Sequence, residues 1–329
     1  SDPILCVRDL SASFFTKEGT VRAVQHVSFD LRPGKVLAVV GESGCGKSTL
    51  ALSLLRLLPF PGKVTTGEVV FEGRNLLDAA EENLRRIRGR RISMIFQDPV
   101  SGLNPVLPIG KQVEEILTSH LDIPKKERKQ RTIEVLRHVG LADAERIAES
   151  YPFHLSGGMC QRVMIAMATA LNPSVVIADE PTSALDVTVQ AQILNELDTL
   201  RYQRGTAIVL ITHDLGVVAQ MADDVAVMYA GQFIEVSEVN QIFKEPRHPY
   251  TWALMQTLPR LDRRGGETLH AIPGSPPSMI DLGEECAFLP RCRKATSQCR
   301  TEPAPPLEPA AAGHLAACYN PIFHDWDEE

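Results

Sequence analysis

Long apolar runs are missing from this chain of 329 residues. A membrane-spanning helix needs about 18 consecutive apolar residues, and no run approaches that length. The N-terminal segment also lacks the charged region and the short apolar region of a secretory signal peptide. We therefore expect a soluble, cytoplasmic chain, and the hydrophobic content of 44% is enough for an ordinary globular core.

An excess of positive charge is missing too, since the formal net charge is -7 at pH 7. This balance disfavours nonspecific binding to nucleic acid, which depends on neutralising phosphates with basic side chains. The sequence has no internal repeat and no coiled-coil heptad pattern. Its length suggests about two domains.

What is present is a phosphate-binding P-loop, G-x-x-x-x-G-K-[ST]. It consists of Gly41, Glu42, Ser43, Gly44, Cys45, Gly46, Lys47, Ser48 and Thr49. An apolar run typical of a buried strand precedes it, and a helical pattern follows it. Glycines let backbone N–H groups curl into an anion nest, to which the helix N-terminus adds its dipole. We predict that Lys47 binds the outer phosphates and that the Ser48 hydroxyl binds Mg²⁺.

The residues before the P-loop predict strands over 5–8 and 23–31, with a turn at Pro33-Gly34. Phe14 and Phe15 lie between the two predicted strands. An aromatic ring here either stacks on the adenine of a nucleotide or is a half-buried aromatic of a strand. The residues alone leave both interpretations open.

Gln97 follows a strand predicted over 91–96. At the carboxyl end of such a strand, near a P-loop, an amide can reach Mg²⁺ or the attacking water. The alternative is an ordinary amide in a surface loop. The residues after it, 113–149, have helical periodicity and predict a helical insertion between two core strands.

A second helix start is marked by Ser156, Gly157 and Gly158, which open an apolar helix over 163–171. A glycine-rich helix N-terminus offers unpaired N–H groups to an anion, so this is a second candidate phosphate site. The alternative is a simple N-cap.

Acidic residues end the next apolar strand, at Asp179 and Glu180. The carboxyl edge of a buried parallel sheet is where such groups meet a ligand. We predict that Asp179 holds Mg²⁺, directly or through water, and that Glu180 orients or deprotonates the attacking water. The alternative is an acid pair at a helix N-terminus. His213 follows a further strand, where it either contacts the γ-phosphate or is structural.

Taken in order over residues 4–245, these motifs resemble the nucleotide-binding subunit of an ABC transporter. The matching stretches are GESGCGKST, Gln97, LSGGMCQRV, VVIADE, SALD and His213. In that family two subunits sandwich two ATP molecules, and the P-loop of one faces the LSGGM helix of the other. The resemblance implies that Glu180 is the catalytic base, His213 the switch histidine, and Asp186 part of the dimer-facing loop. It also places Gln97 in the permease-sensing segment and Phe14, or else Phe15, against adenine.

The C-terminal part resembles that of the oligopeptide, dipeptide and nickel transporter ATPases, through residues 245–251 and 272–277. By composition the residues from 300 onward predict a proline-rich loop. Four cysteines lie in this part: Cys286, Cys292, Cys299 and Cys318. Disulfides are not expected in a cytoplasmic chain, whereas four thiolates suit Zn²⁺ or an iron–sulfur cluster. The spacing lacks the C-x2-C pairs of zinc ribbons. The dipeptide-transporter subunits that the C-terminal part resembles carry a [4Fe–4S] cluster at this motif. We therefore favour the cluster over zinc, and cysteines without a ligand are the third alternative.

The expected fold is therefore α/β, with a P-loop core, an antiparallel β subdomain, a helical subdomain over about 100–165 and a small metal-bound extension. We expect a nucleotide-binding domain over 1–245 and the extension over 246–329. The expected function is hydrolysis of Mg²⁺-bound ATP to drive peptide or small-solute import. Implied partners are two permease subunits, a related ATPase subunit in a heterodimer and an extracytoplasmic solute-binding protein, at the cytoplasmic face of the inner membrane. The alternative is a non-transport ABC ATPase acting on nucleic acid or ribosomes.

Overall fold

The computed structural model describes residues 2–183, 185–257, 272–280 and 282–323. The chain forms two compact units. The first unit consists of Ser1–Ile4, Leu31–Val36 and Asp78–Ile211. The second unit consists of Leu5–Asp30, Leu37–Leu77 and Thr212–Glu329.

The strands are β1 (Leu5–Thr16), β2 (Gly19–Leu31), β3 (Val36–Val40), β4 (Gly62–Phe71), β5 (Arg74–Asn75), β6 (Ile92–Ile95), β7 (Val175–Asp179), β8 (Ala207–Ile211), β9 (Asp224–Tyr229), β10 (Gln232–Glu238), β11 (Glu308–Ala311) and β12 (His314–Ala316). The α-helices are α1 (Lys47–Leu54), α2 (Glu81–Ile87), α3 (Ile109–His120), α4 (Lys125–His138), α5 (Ala144–Glu149), α6 (Gly157–Thr169), α7 (Val187–Arg204), α8 (Leu215–Met221), α9 (Val239–Lys244), α10 (Pro249–Gln256) and α11 (Gln298–Thr301). Across the described ranges, no helix combines the length and the apolar character that crossing a membrane requires.

The first unit contains three parallel strands, β6, β7 and β8, in that spatial order. Every residue of β7 and β8 is buried, as expected for parallel strands that are covered on both faces. The helical insertion predicted over 113–149 corresponds to α3, α4 and α5, which pack on one another. Helix α6 joins this group to the strands, and the Ser93 hydroxyl of β6 donates to the Ala168 carbonyl of α6 at 2.6 Å.

The second unit contains an antiparallel sheet in the order β2-β1-β4-β5. The first two strands are longer than the sequence predicted, because pairing of β1 with β4 continues as far as Phe14, opposite Gly62. Phe14 and Phe15 therefore lie within β1. The prediction that they fall between two strands was wrong, because a β-bulge near Ser11 interrupts the simple alternation of buried and exposed residues.

A further set of strands in the second unit has the order β11-β12-β10-β9-β3. Strand β3 runs parallel to β9, and the other pairs are antiparallel. An apolar core covers this sheet. Its buried members are Ala38, Val40, Leu215, Val218, Val225, Val227, Tyr229, Ala230, Ile234, Ile242, Tyr250, Met255 and Phe288.

The residues from 300 onward are not simply a proline-rich loop. Strands β11 and β12 form a hairpin, and β12 pairs with β10 through Glu235–Ala316 and Val236–Leu315. Pro309 lies in β11, at the end of the spatial order of strands in this unit. Proline cannot donate a ladder hydrogen bond but is tolerated on such an edge strand, so proline content alone does not predict a loop here.

Glu235 joins three segments of the second unit. Its side chain is fully buried, and its carboxylate accepts from the backbone N–H groups of Arg247 and His248, both at 2.7 Å. It also meets His314 Nε2 at 2.6 Å. One carboxylate thus connects β10, the segment before α10 and β12. Burial lowers the pKa of the His248 imidazole to about 4, so this ring is neutral at pH 7.

Glu235→Ala should lower the free energy of unfolding by about 3 kcal/mol, because two buried N–H groups and a histidine lose their acceptor together. Urea denaturation followed by circular dichroism measures the change. Glu238→Ala, at the exposed end of the same strand, is the control and should change stability by less than about 0.5 kcal/mol. Equal effects of the two substitutions would contradict the connecting role of Glu235.

Candidate nucleotide-binding site

The P-loop connects β3 to α1 in the second unit, and its backbone approaches neighbouring strands very closely. A Cβ atom on Gly41 would lie 2.2 Å from the Met228 carbonyl oxygen of β9. A Cβ atom on Gly46, whose φ is 110°, would lie 2.1 Å from the Ala23 carbonyl oxygen of β2. Only glycine fits at these positions, so the surrounding strands hold the loop in its curled form.

The Lys47 ammonium lies inside this curl. The residue is buried, and Nζ donates to the carbonyl oxygens of Gly41 at 2.8 Å and Glu42 at 3.0 Å. Ser48 follows in the first turn of α1, where helix N–H groups lack intrahelical acceptors. A cationic side chain, a hydroxyl and a helix N-terminus at one loop fit the phosphates and the Mg²⁺ of a nucleotide.

Cys45 is the buried thiol of this loop. Burial raises its pKa, and the neighbouring Lys47 ammonium partly opposes that rise. The side chain is therefore a neutral thiol at pH 7, and it fills space beside the lysine instead of adding charge.

The two adenine candidates differ in their environments. The Phe14 ring packs on the backbone of Gly62, where a Cβ atom would come within 2.7 Å of the ring. Phe15 is 50% exposed. Consecutive residues of a strand point to opposite faces, so only one of these rings can serve a given face.

In the first unit, Asp179 ends β7 and Glu180 follows it. Both are buried, and Glu180 has a left-handed backbone with φ of 49°. Its N–H group nevertheless donates to the Ile211 carbonyl of β8 at 2.8 Å. Non-glycine residues adopt this conformation rarely, and such residues are enriched at functional sites.

Gln97 lies at the same edge of the first unit's parallel strands. Ile95 of β6 is in register with Ala178 of β7, so Gln97 and Glu180 each lie two residues beyond this pair. Gln97 is exposed. The register thus brings an amide and two carboxylates to neighbouring strand ends.

The predicted second phosphate site is the start of α6, also in the first unit. Ser156 is its N-cap and accepts from the Met159 N–H group at 3.3 Å. Gly157 has open space around its Cα, whereas a Cβ atom on Gly158 would touch Leu185 at 3.6 Å. Asp186 caps α7 by accepting from the Val189 N–H group at 3.0 Å. The serine therefore does form the N-cap, and this leaves the exposed helix end accessible to a ligand.

His213 belongs to the second unit, where it is exposed. The next residue, Asp214, caps α8 through the N–H groups of Gly216 at 2.9 Å and Val217 at 3.2 Å. The predicted site residues are thus divided between the units. The first unit holds Gln97, Ser156, Gly157, Gly158, Asp179, Glu180 and Asp186, and the second holds Phe14, the P-loop and His213.

The four C-terminal cysteines of the second unit line one small cavity of about 20 Å³. Backbone N–H groups two residues further along the chain hydrogen-bond to the sulfurs of Cys286, Cys292 and Cys318. Burial raises the pKa of the Cys318 thiol to about 12. Among the residues that the structure describes, no three His, Cys, Asp or Glu side chains are placed to hold a metal ion. The residue types suit a thiolate-bound group, but their placement does not by itself show one.

Tyr250 and Arg291 are two residues near the P-loop that the sequence did not single out. Both contact Glu42. Arg291 lies 249 residues from Glu42 in sequence, and no spacing pattern connects them. The nearest sequence signals were the resemblance around 245–251 and the adjacent Cys292.

Comparison with known proteins decides the family. The model of the family described as ABC transporter matches residues 24–183, and that of the oligopeptide/dipeptide transporter C-terminal region matches 234–299. The oligopeptide transport ATP-binding protein OppD of Escherichia coli is 45% identical over 98% of this chain and 94% of its own length. The dipeptide transport ATP-binding protein DppD of Bacillus subtilis is 47% identical over 88% of this chain and 87% of its own. The chain belongs to the ATP-binding subunits of oligopeptide and dipeptide ABC transporters.

The ABC ATPase fold is confirmed by a solved structure. A dimeric post-hydrolysis state of the ATP-binding cassette MJ0796, bound to ADP and Pi, matches with a TM-score of 0.66 and 29% identity. The match covers 71% of this chain and 98% of the cassette. The chain is therefore an ABC ATPase whose ATP hydrolysis is coupled to transport. The comparisons favour this function over a non-transport ATPase acting on nucleic acid or ribosomes.

Gly46→Ala should abolish ATP binding and lower the unfolding free energy by about 3 kcal/mol, because the new Cβ atom displaces the loop from the Ala23 carbonyl. Gly44→Ala is the control, since Gly44 also has a positive φ, of 79°, but nothing lies within 4 Å of its Cβ position. The Gly44→Ala variant should lose only about 1 kcal/mol of unfolding free energy, because alanine is strained in the left-handed backbone conformation. Urea denaturation and nucleotide titration measure both variants, and equal losses would contradict the close approach at Gly46.

Proposed function

We propose that this chain powers the import of dipeptides, oligopeptides or a related small solute. The single observation that carries the proposal is that the chain combines an ABC ATPase with the C-terminal region characteristic of oligopeptide and dipeptide transporters. The names of similar proteins, the oligopeptide transport protein OppD and the dipeptide transport protein DppD, agree with this class of solute. The net charge of -7 gives no support to a nucleic-acid partner.

We propose that the phosphates of ATP bind the P-loop, with Lys47 on the outer phosphates. Ser48, Gln97 and Asp179 would hold Mg²⁺, which supplies charge neutralisation at the phosphates when it is bound. Glu180 orients or deprotonates the attacking water, and its position next to the last residue of a buried strand supports this role.

The remaining site residues contact the adenine ring of ATP, its γ-phosphate or the second ATPase subunit. Phe14, or else Phe15, stacks on adenine, and His213 contacts the γ-phosphate. Ser156, Gly157 and Gly158 present the N-terminus of α6 to the nucleotide held by a second ATPase subunit, and Asp186 lies in the dimer-facing loop. The exposure of Ser156 and Gly157 at the start of α6 supports an intermolecular role.

The proposed assembly contains two permease subunits, a related ATPase subunit in a heterodimer and an extracytoplasmic solute-binding protein. The chain would act as a peripheral subunit at the cytoplasmic face of the inner membrane. Within it, residues 1–245 would be the nucleotide-binding domain, 100–165 its helical subdomain and 246–329 the extension. The match of two separate family models, to residues 24–183 and to residues 234–299, supports a division into a nucleotide-binding part and a C-terminal part.

Glu180→Gln should leave ATP binding intact and lower the steady-state rate of phosphate release by at least about 100-fold, because the amide cannot accept the proton of the attacking water. The assay uses the chain assembled with its permease. Lys47→Ala is the companion variant and should lose ATP affinity itself. If Glu180→Gln releases phosphate at the wild-type rate, the assignment of Glu180 as the residue that activates the attacking water is wrong.

We further propose that the four cysteines hold a [4Fe–4S] cluster, with Zn²⁺ as the alternative. Their convergence on one cavity and the N–H groups directed at three of the sulfurs support thiolate ligation. The cavity of about 20 Å³ is close to the minimum for one water molecule, so the four cysteines would have to move apart to admit a cluster.

Anaerobically purified protein should contain roughly four irons and four sulfides per chain if the cluster is present, or one zinc in the alternative case. Cys292→Ser should lose the metal because one of four ligands is gone. Cys6→Ser, in β1 of the same unit, should retain it. Metal analysis that finds neither iron nor zinc in the wild-type chain rejects both forms of the proposal.

A further inference from the structure

Three segments of the second unit that are distant in sequence meet at Glu42, the second residue of the P-loop. The Glu42 N–H group donates to the Tyr250 hydroxyl at 2.8 Å. The Glu42 carboxylate accepts two hydrogen bonds from the Arg291 guanidinium, Nη1 to Oε2 at 2.6 Å and Nη2 to Oε1 at 3.0 Å. We call Arg291 and Tyr250 the Glu42 clamp.

Arg291 is itself fixed in place. Its side chain is only 5% exposed. Nε donates to the Pro273 carbonyl at 2.8 Å, Nη2 to the Ile272 carbonyl at 3.3 Å and Nη1 to the Tyr229 hydroxyl at 3.2 Å. All three guanidinium nitrogens are engaged, so the paired contact with Glu42 is made by a side chain that is already oriented.

The clamp rests on an aromatic cluster in the apolar core. The Tyr229 and Tyr250 rings lie 4.6 Å apart, and Phe288 meets them at 5.4 and 5.5 Å. Phe288 immediately precedes a short 3₁₀ turn, Leu289–Arg291, and Arg291 is the last residue of that turn. The C-terminal extension therefore supplies both the cation and part of the packing that supports it.

Glu42 is connected directly to the lysine of the site. Its carbonyl oxygen accepts from Lys47 Nζ at 3.0 Å, so a shift of Glu42 moves an acceptor of the phosphate-binding ammonium. The Glu42 carboxylate also carries a negative charge on the second residue of the loop to which the proposed function assigns the phosphates. Without a cation beside it, this charge would repel a nucleotide.

We propose that Arg291 is a positioning residue for nucleotide binding: with Tyr250 it fixes Glu42, neutralises its charge and so sets the affinity of the P-loop for ATP. The C-terminal extension is thereby a part of the nucleotide site. The inference rests on the proposed assignment of residues 41–49 as the ATP-binding loop.

The decisive variant is Arg291→Met, which keeps most of the volume and removes the cation. Titration of the full-length chain with Mg²⁺-bound ATP should give a dissociation constant raised about tenfold, because a carboxylate is left unpaired beside the phosphates. In the assembled transporter KM for ATP should rise similarly, while kcat changes less than about twofold, because the chemical step does not use Arg291.

A second substitution separates the charge effect from damage to the fold. In the double variant Glu42→Gln/Arg291→Met the repelling charge is gone, and affinity should recover to within about threefold of the wild type. Arg300→Met is the matched control, since it removes an exposed arginine from the same extension, and it should leave ATP affinity unchanged. Thermal unfolding of each variant reports whether it is folded.

Unchanged ATP affinity in Arg291→Met overturns the proposal, as does a double variant that binds as weakly as the single one. If Arg291→Met does not fold, Arg291→Lys takes its place: it keeps the charge, loses the paired hydrogen bonds and should weaken ATP binding about threefold. Unchanged affinity in that variant also overturns the proposal. Lys47→Ala tests the underlying assignment separately. If that variant binds ATP normally, the P-loop is not the site and the proposed function fails first.

Discussion

The close approach of the P-loop backbone to its neighbouring strands is the constraint on which the nucleotide site depends. Carbonyl oxygens of Ala23 and Met228 occupy the space that side chains at Gly46 and Gly41 would need. The loop therefore cannot relax into an open form without breaking contacts in two sheets. Lys47 is held over the loop carbonyls by the same curvature. A site built in this way is ordered before the nucleotide arrives, which lowers the entropy cost of binding.

Two carboxylates attach the C-terminal extension to the rest of the second unit. Glu235 accepts from the segment before α10 and meets His314 of β12, and Glu42 is paired with Arg291. Apolar contacts around Tyr250 and Phe288 lie between these two points. Glu235 is fully buried and Glu42 is partly buried. A carboxylate removed from water is stable when its hydrogen-bonding capacity is used, so each attachment favours one arrangement of the extension over others. The extension is thus held by specific polar contacts as well as by its core.

Motifs contained in about ten residues were predictable from the sequence, and pairings between distant residues were not. The P-loop strand and helix, the serine cap of α6 and the acids after β7 follow from local patterns of glycine, serine and apolar residues. The extent of β1 was missed because its bulge interrupts the alternation. The hairpin after residue 300 was missed because an edge strand tolerates the proline that marks a loop elsewhere. The contact between Arg291 and Glu42 has no local signal, since it forms only when the sheet and the extension have folded together.

The extension has sources of order other than the four cysteines. Phe288 and Ala316 are buried, and β12 pairs with β10, so the extension has a core and a ladder of its own. Ligation at Cys292 would act on a segment that is already fixed on one side, because Arg291 precedes it directly and is bound to Glu42. A peptide bond joins the two residues, so a displacement of the Cys292 backbone must be absorbed at Arg291 or transmitted to the P-loop. If the thiols hold a group, as proposed, the order of the extension and the geometry of the proposed nucleotide site would be linked through this one short turn.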